Sequence, residues 1–170
     1  MSQHLQNIAI VGGNGNIGNA ALTALLETKR FNITAISRAD SSSAFPPEVS
    51  VKKGDYADRS FLESALKGQD AFMISLGVRS PPETQDNLIE AAAAAGVKWI
   101  LPNEYGSDND HPVMGPGQGF LATHKNKYLT KIKELGSNYI AYVNGCWYDY
   151  VSFRIVDLHS ITMASRKRVC

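Results

Sequence analysis

The chain has 170 residues and a mass of 18.5 kDa, with 17 Lys and Arg against 16 Asp and Glu, for a formal net charge of +1 at pH 7. Hydrophobic residues make up 44% and charged residues 19%, which is too apolar for intrinsic disorder and suits one domain burying roughly 70% of its unfolded surface. The near-neutral balance excludes a global attraction to nucleic acid, which needs many clustered phosphate contacts, and no run of about 18 apolar residues argues for a membrane span.

Residues 8–11 (IAIV) predict a first strand, followed by a glycine cluster and a helix over 17–28, where Ala20, Ala21, Ala24, Leu25 and Thr28 recur at helical spacing. Residues 31–37 (FNITAIS) read as a strand that ends at Ser37 and Arg38, and residues 41–47 (SSSAFPP) as a loop by composition. A short strand is expected at 49–52, then a helix over 58–66 with Asp58 as its cap and Phe61, Leu62, Ala65 and Leu66 as its apolar face. A fourth strand, 71–76 (AFMISL), is closed by Gly77. Pro81 and Pro82 then open a helix that runs through the alanines at 91–95 and stops at Gly96, where a left-handed residue is needed. Residues 97–101 (VKWIL) predict a fifth strand, 120–135 a helix between Gly119 and Gly136, and 139–143 (YIAYV) a sixth strand. Alternating β and α units of this kind imply an α/β fold: a Rossmann-type, doubly wound parallel sheet in a three-layer α/β/α arrangement. Residues 1–150 form the expected dinucleotide-binding domain, while residues 151–170, which end in Arg166, Lys167 and Arg168, continue no pattern and receive no role.

The glycine cluster carries the chemistry. In VGGNGNIG, Gly12, Gly13, Gly15 and Gly18 lie between the first strand and the first helix, where they permit a tight turn, approach of the backbone to a pyrophosphate, and close packing of helix on strand. The amides of residues 14–17 would meet the phosphates at the positive end of the helix. Gly12, Gly15, Asn16, Ile17 and Gly18 are therefore the candidate pyrophosphate residues. A P-loop is excluded, because Asn19 follows Gly18 where Lys and Ser or Thr would be required. At the end of the second strand an acidic residue would select a ribose hydroxyl, whereas an arginine offers a donor fork to a 2′-phosphate. Arg38 stands there, which favours NADP over NAD, with Asp40 leaving the ribose acid open as the alternative. Gly54, Asp55 and Tyr56, after the third strand, could meet the adenine, or Asp55 could serve as a cap near Asp58. Leu76 and Gly77 close the fourth strand at the cofactor edge.

Taken as a set, VGGNGNIG, Ser37 and Arg38, Gly54 and Asp55, and Pro102, Asn103, Glu104, Tyr105 and Gly106 followed by Ser107 and Asp108 resemble the NmrA-like and isoflavone-reductase-like group of atypical short-chain dehydrogenase/reductases. Gly145, Cys146, Trp147 and Tyr148 are similar to a segment of its fungal members. The resemblance spans about residues 6–150. It implies that Lys125 occupies the place of the family's catalytic lysine, with Lys127 as the runner-up, and that Glu104 and Tyr105 lie toward the substrate. The chemistry implied is NADP(H)-dependent reduction of a small molecule, aromatic ones included; the alternative is a non-catalytic dinucleotide sensor acting on a protein partner. An inactive fragment is the third expectation. Members of the group are considerably longer and build most of the substrate pocket from their C-terminal part, so the resemblance implies that the substrate domain is largely missing here.

Other chemistries find little support. Cys146 and Cys170 are the only cysteines, and His4, His111, His124 and His159 are scattered, so neither a disulfide framework nor a metal site is expected. No nucleophile elbow of the Gly-x-Ser-x-Gly type occurs. The N-terminal MSQHLQN lacks the features of a secretion signal, and the expected setting is the cytoplasm.

Overall fold

The computed structural model describes residues 4–77, 79–106 and 125–145, the side chains of Lys125 and Asn126 excepted. Residues 4–104 and 125–141 of these form one compact unit, and Tyr105, Gly106 and residues 142–145 belong to a second. In the second unit the Gly145 N–H donates to the Gly106 carbonyl at 3.0 Å.

The first unit is built on β1 (Asn7–Val11), α1 (Asn16–Thr28), β2 (Asn32–Arg38), β3 (Val49–Gly54), α2 (Arg59–Leu66), β4 (Ala71–Ile74), α3 (Pro82–Ala94), β5 (Trp99–Leu101), α4 (Lys125–Glu134) and β6 (Asn138–Tyr139). All strand pairs are parallel, in the order β3-β2-β1-β4-β5-β6. Strand β1 therefore marks the reversal, with its successors on one side and β4 on the other. Parallel strands covered on both faces read as unbroken apolar runs, and β1 and β4 do so. Alternate residues face opposite layers. Ala9, Val11, Phe72, Ile74 and Ile100 form one buried core with Leu62 and Leu66 of α2, Leu88 and Ile89 of α3, and Tyr128 and Ile132 of α4. Ile10 faces the other way, toward Leu22 of α1. This is the expected Rossmann-like, three-layer α/β fold.

Three strands are shorter than the sequence pattern predicts, each for a local reason. β5 starts at Trp99 rather than Val97 because the chain first completes a Schellman closure of α3. Gly96 is left-handed at φ 80°, and the N–H groups of Gly96 and Val97 donate to Ala93 and Ala92. β4 stops at Ile74 rather than Leu76 because both backbone polar groups of Leu76 pair with a side chain, that of Asn103. β6 ends at Tyr139 rather than Val143: after the Ile140 N–H donates to Ile100, β5 leads into Pro102, which lacks an N–H, and Tyr142 is 61% exposed. The expected start of the long helix at residue 120 lies outside the described residues, as do Ser107, Asp108, His111, His124, Cys146, Trp147, Tyr148 and residues 151–170.

Helix α4 is not the solvated lysine face that its composition suggests. The Asp86 carboxylate of α3 accepts from Lys127 at 2.8 Å and from Lys131 at 2.6 Å, Lys131 also reaches Glu90 at 2.6 Å, and the Tyr128 hydroxyl donates to the Pro82 carbonyl at 3.2 Å. Burial opposes ionisation of Asp86, but hydrogen bonds from the two ammonium groups outweigh it and leave the carboxyl below its ordinary value. A depressed carboxylate stabilises the fold above its unfolded pKa and loses that contribution as pH falls through the folded value. Asp86→Asn is expected to lower the thermal midpoint by several degrees at pH 7, and the gap to the unmodified chain should close as unfolding is followed below about pH 4.

Candidate functional site

At the reversal of strand order the two halves of the sheet leave a crevice at the strands' C-terminal edge, the usual ligand position in open α/β sheets. Here it is a cleft of about 400 Å³. Its floor is the turn after β1, formed by Gly12, Gly13, Asn14 and Gly15. Ser37 and Arg38 at the end of β2 line one flank, and Ser75, Leu76 and Gly77 after β4 line the other. Gly12 is left-handed at φ 74°, and a β-carbon there would overlap the carbonyl oxygen of Ser75. A β-carbon on Gly18 would overlap the Gly12 carbonyl. The two glycines let the turn lie directly against β4 and α1 directly against the turn.

Behind the turn, α1 begins without a stopper. Gly15 is its N-cap and provides no side-chain hydrogen bond, and its first turn holds no acidic residue. The first intrahelical bond runs from the Asn19 N–H to the Gly15 carbonyl at 2.8 Å, so the amides of Asn16, Ile17 and Gly18 precede the helical ladder. By contrast, Asp58 caps α2 through the Phe61 N–H at 3.1 Å. An uncapped helix start facing a crevice carries uncompensated partial positive charge, which attracts an anion such as a diphosphate.

The flanks differ in character. The Arg38 guanidinium lies 3.6 Å from the Asp40 carboxylate, and both side chains are largely exposed, 69% and 79%. A pair so open to water binds weakly. Arg38 lines the cleft and Asp40 does not. Tyr56 forms an inner wall; its hydroxyl donates to the Ile36 carbonyl at 3.1 Å, and burial pushes the phenol up to about 12 against the opposing pull of Arg38. Tyr56 thus stays protonated at any physiological pH and serves as a fixed ring. The β2–β3 connection folds over the turn: Ser41, Ser43 and Phe45 line the cleft, the Asn14 amide donates to the Ala44 carbonyl at 3.3 Å, and Lys53 holds the Ser41 carbonyl at 2.7 Å.

Of the residues singled out in the sequence, the fold brings Gly12, Gly15, Arg38, Leu76 and Gly77 to the cleft. Asn16, Ile17 and Gly18 form the first turn of α1 behind it and are not among the residues that line it. Asp55 is turned to its own backbone, where its carboxylate accepts from the Ala57 N–H at 2.9 Å, and Tyr56 lines the cleft in its place. Lys127 is committed to Asp86. Lys125 is the first residue of α4. Glu104 follows β5 and is buried, 1% exposed, and Tyr105, in the second unit, is a buried phenol that desolvation pushes up from its ordinary value. Sequence reasoning set Tyr56 beside Asp55 after the third strand, where the cleft takes it, and missed Phe45 and the pairing of Asn103 with Leu76. Phe45 sits in a segment that composition marks only as loop, and the part played by Asn103 shows only once β4 and β5 are neighbours.

Comparison with known proteins agrees with this fold. The pattern of the NmrA-like family matches residues 4–159. The chain belongs to the NmrA-like family. This NmrA-like chain is similar to oxidoreductase aprR of Aspergillus flavus, 37% identical over 102 residues that cover 59% of it and 34% of that protein. Oxidoreductase BOA1 of Botryotinia fuckeliana is 28% identical over 163 residues, covering 89% and 52%. Among solved structures it is similar to an NADPH-dependent quinone oxidoreductase of Escherichia coli, with a TM-score of 0.63 and 28% identity over 85% of this chain and 49% of that one. It shares its fold with the pinoresinol-lariciresinol and phenylcoumaran benzylic ether reductases, at a TM-score of 0.73 and 22% identity over 87% and 52%. The chain thus spans a third to a half of the length of these curated relatives. Among the described residues no helix is long and apolar enough to cross a membrane, and no cluster of His, Cys, Asp or Glu could hold a metal ion.

The close approaches separate two glycines that look alike in sequence. Gly12→Ala combines a left-handed φ with an overlap on Ser75 and should cost about 2–4 kcal/mol. Gly15→Ala, at φ −76° with its nearest obstacle 3.3 Å away, should cost less than about 1 kcal/mol. Urea unfolding of the two variants measures the difference.

Proposed function

We propose that the cleft binds a nicotinamide dinucleotide, NADP(H) in preference to NAD(H), and that the protein is an oxidoreductase acting on a small molecule, aromatic ones included. The observation that carries this reading is the uncapped start of α1, set behind a glycine-rich turn at the reversal of the sheet and flanked by Arg38. The relatives lend support: several curated ones are oxidoreductases by name, and the quinone oxidoreductase of Escherichia coli is NADPH-dependent by description.

In this reading the amides of Asn16, Ile17 and Gly18 hold the diphosphate, and the absence of side chains on Gly12 and Gly15 lets it approach the backbone. Arg38 offers its planar donors to the 2′-phosphate, a charge that an acidic residue at the same place would repel. Tyr56 and Phe45 present rings to the adenosine side of the cleft. When bound, the dinucleotide supplies or accepts the hydride. Lys125, at the start of α4, is assigned the proton: an ammonium there stabilises negative charge developing on the substrate oxygen and returns a proton to it through water. The anchoring of α4 on Asp86 and Pro82 fixes where that helix begins relative to α3, whose first turn also borders the cleft through Pro81 and Thr84.

Calorimetric titration of the purified chain with both dinucleotides tests the binding reading. Arg38→Ala should weaken NADP(H) ten- to a hundredfold while leaving NAD(H) nearly unchanged; equal loss for both would remove the 2′-phosphate role. Lys125→Ala should hold dinucleotide affinity within about twofold and reduce turnover by a factor of roughly a hundred or more. Undiminished NADPH consumption would take Lys125 out of the mechanism, and cofactor binding without any turnover in the unmodified chain would favour a dinucleotide sensor.

A further inference from the structure

The segment following β4 borders the cleft on the side opposite Arg38, yet it has left the sheet. Within it, the Leu76 N–H donates to Oδ1 of Asn103 at 3.2 Å, and Nδ2 of Asn103 donates to the Leu76 carbonyl at 3.0 Å. One carboxamide thus satisfies both polar groups of one peptide residue, as a neighbouring strand would. The orientation of the amide is dictated, because an N–H needs an acceptor and a carbonyl needs a donor. Asn103 lies beyond the last residue of β5, where the Leu101–Met73 pair ends the ladder and Pro102 has no N–H to extend it. The side chain takes over where the backbone cannot.

Two consequences follow for the cleft. The wall formed by Ser75, Leu76 and Gly77 is held from both sides, by the Gly12 turn pressed on Ser75 and by Asn103 gripping Leu76. Moreover, with its N–H already donating to Asn103, Leu76 has no open backbone donor to offer a ligand there. We propose that Asn103 is a positioning residue that fixes the nicotinamide end of the dinucleotide site without touching the dinucleotide. The assignment of ends rests on the functional reading above: with the diphosphate on α1 and the adenosine half toward Arg38, the second nucleoside lies over the end of β4.

The test separates the two halves of the ligand. Asn103→Asp keeps the size of the side chain and the acceptor for the Leu76 N–H but sets a carboxylate oxygen against the Leu76 carbonyl. Asn103→Ala removes both bonds. Binding of NADP and of adenosine 2′,5′-bisphosphate, which lacks the nicotinamide nucleoside, is measured by calorimetry on the full chain and both variants. The expected result is an NADP affinity about tenfold weaker with the bisphosphate changed by less than about twofold. Equal weakening of both ligands, or no change in either, overturns the proposal. An unmodified chain that binds neither overturns the nucleotide reading itself, a different failure. Amide exchange in the unmodified chain is independent of how the variants fold: the Leu76 N–H should exchange at least about tenfold more slowly than an open-loop amide, and an unprotected Leu76 would refute the clamp.

Discussion

The carbonyl oxygen of Ser75 occupies the space that a side chain on residue 12 would need, and most of the cleft follows from that contact. Because Gly12 is left-handed and bare, the turn after β1 reaches across to the end of β4, and because Gly18 is bare, α1 settles onto the turn. Strand, turn, helix and neighbouring strand are thereby locked at van der Waals distance, with the free amides of the helix start at the crevice. Packing and anion attraction are here the same feature. The residues that let the backbone pack are those that leave room for a diphosphate.

On either side of this centre the chain meets different demands. Toward β2, the crevice ends in an exposed arginine and a serine-bearing connection, a flank suited to meeting charge from solvent. Toward β4, it ends in Ser75, Leu76 and Gly77, where Asn103 engages both the N–H and the carbonyl of Leu76. Helix α4, through Lys127, Tyr128 and Lys131, is fastened to α3 at Pro82, Asp86 and Glu90.

Membership of the NmrA-like family rests on a pattern that spreads over residues 4–159, and the proteins this chain is similar to include ones named as oxidoreductases. The chain spans about a third to a half of these curated relatives, and what it shares with the solved structures is the Rossmann-like fold. Their substrates belong to those proteins.

The sequence by itself determined the alternation of strands and helices, the glycine turn, the cap at Asp58, the left-handed stop at Gly96 and the arginine at the end of β2. These are legible because each depends on chain neighbours: hydrophobic period, φ restrictions and capping act within a few residues. Tertiary structure decided what depends on partners far along the chain. It shortened β4 and β6, brought Tyr56 to the cleft, paired Lys127 and Lys131 with Asp86, and joined Asn103 to Leu76, 27 residues away. A carboxamide, a carboxylate or a phenol carries no local mark of its partner. Its role is fixed only when the strand order sets which backbone groups lack one.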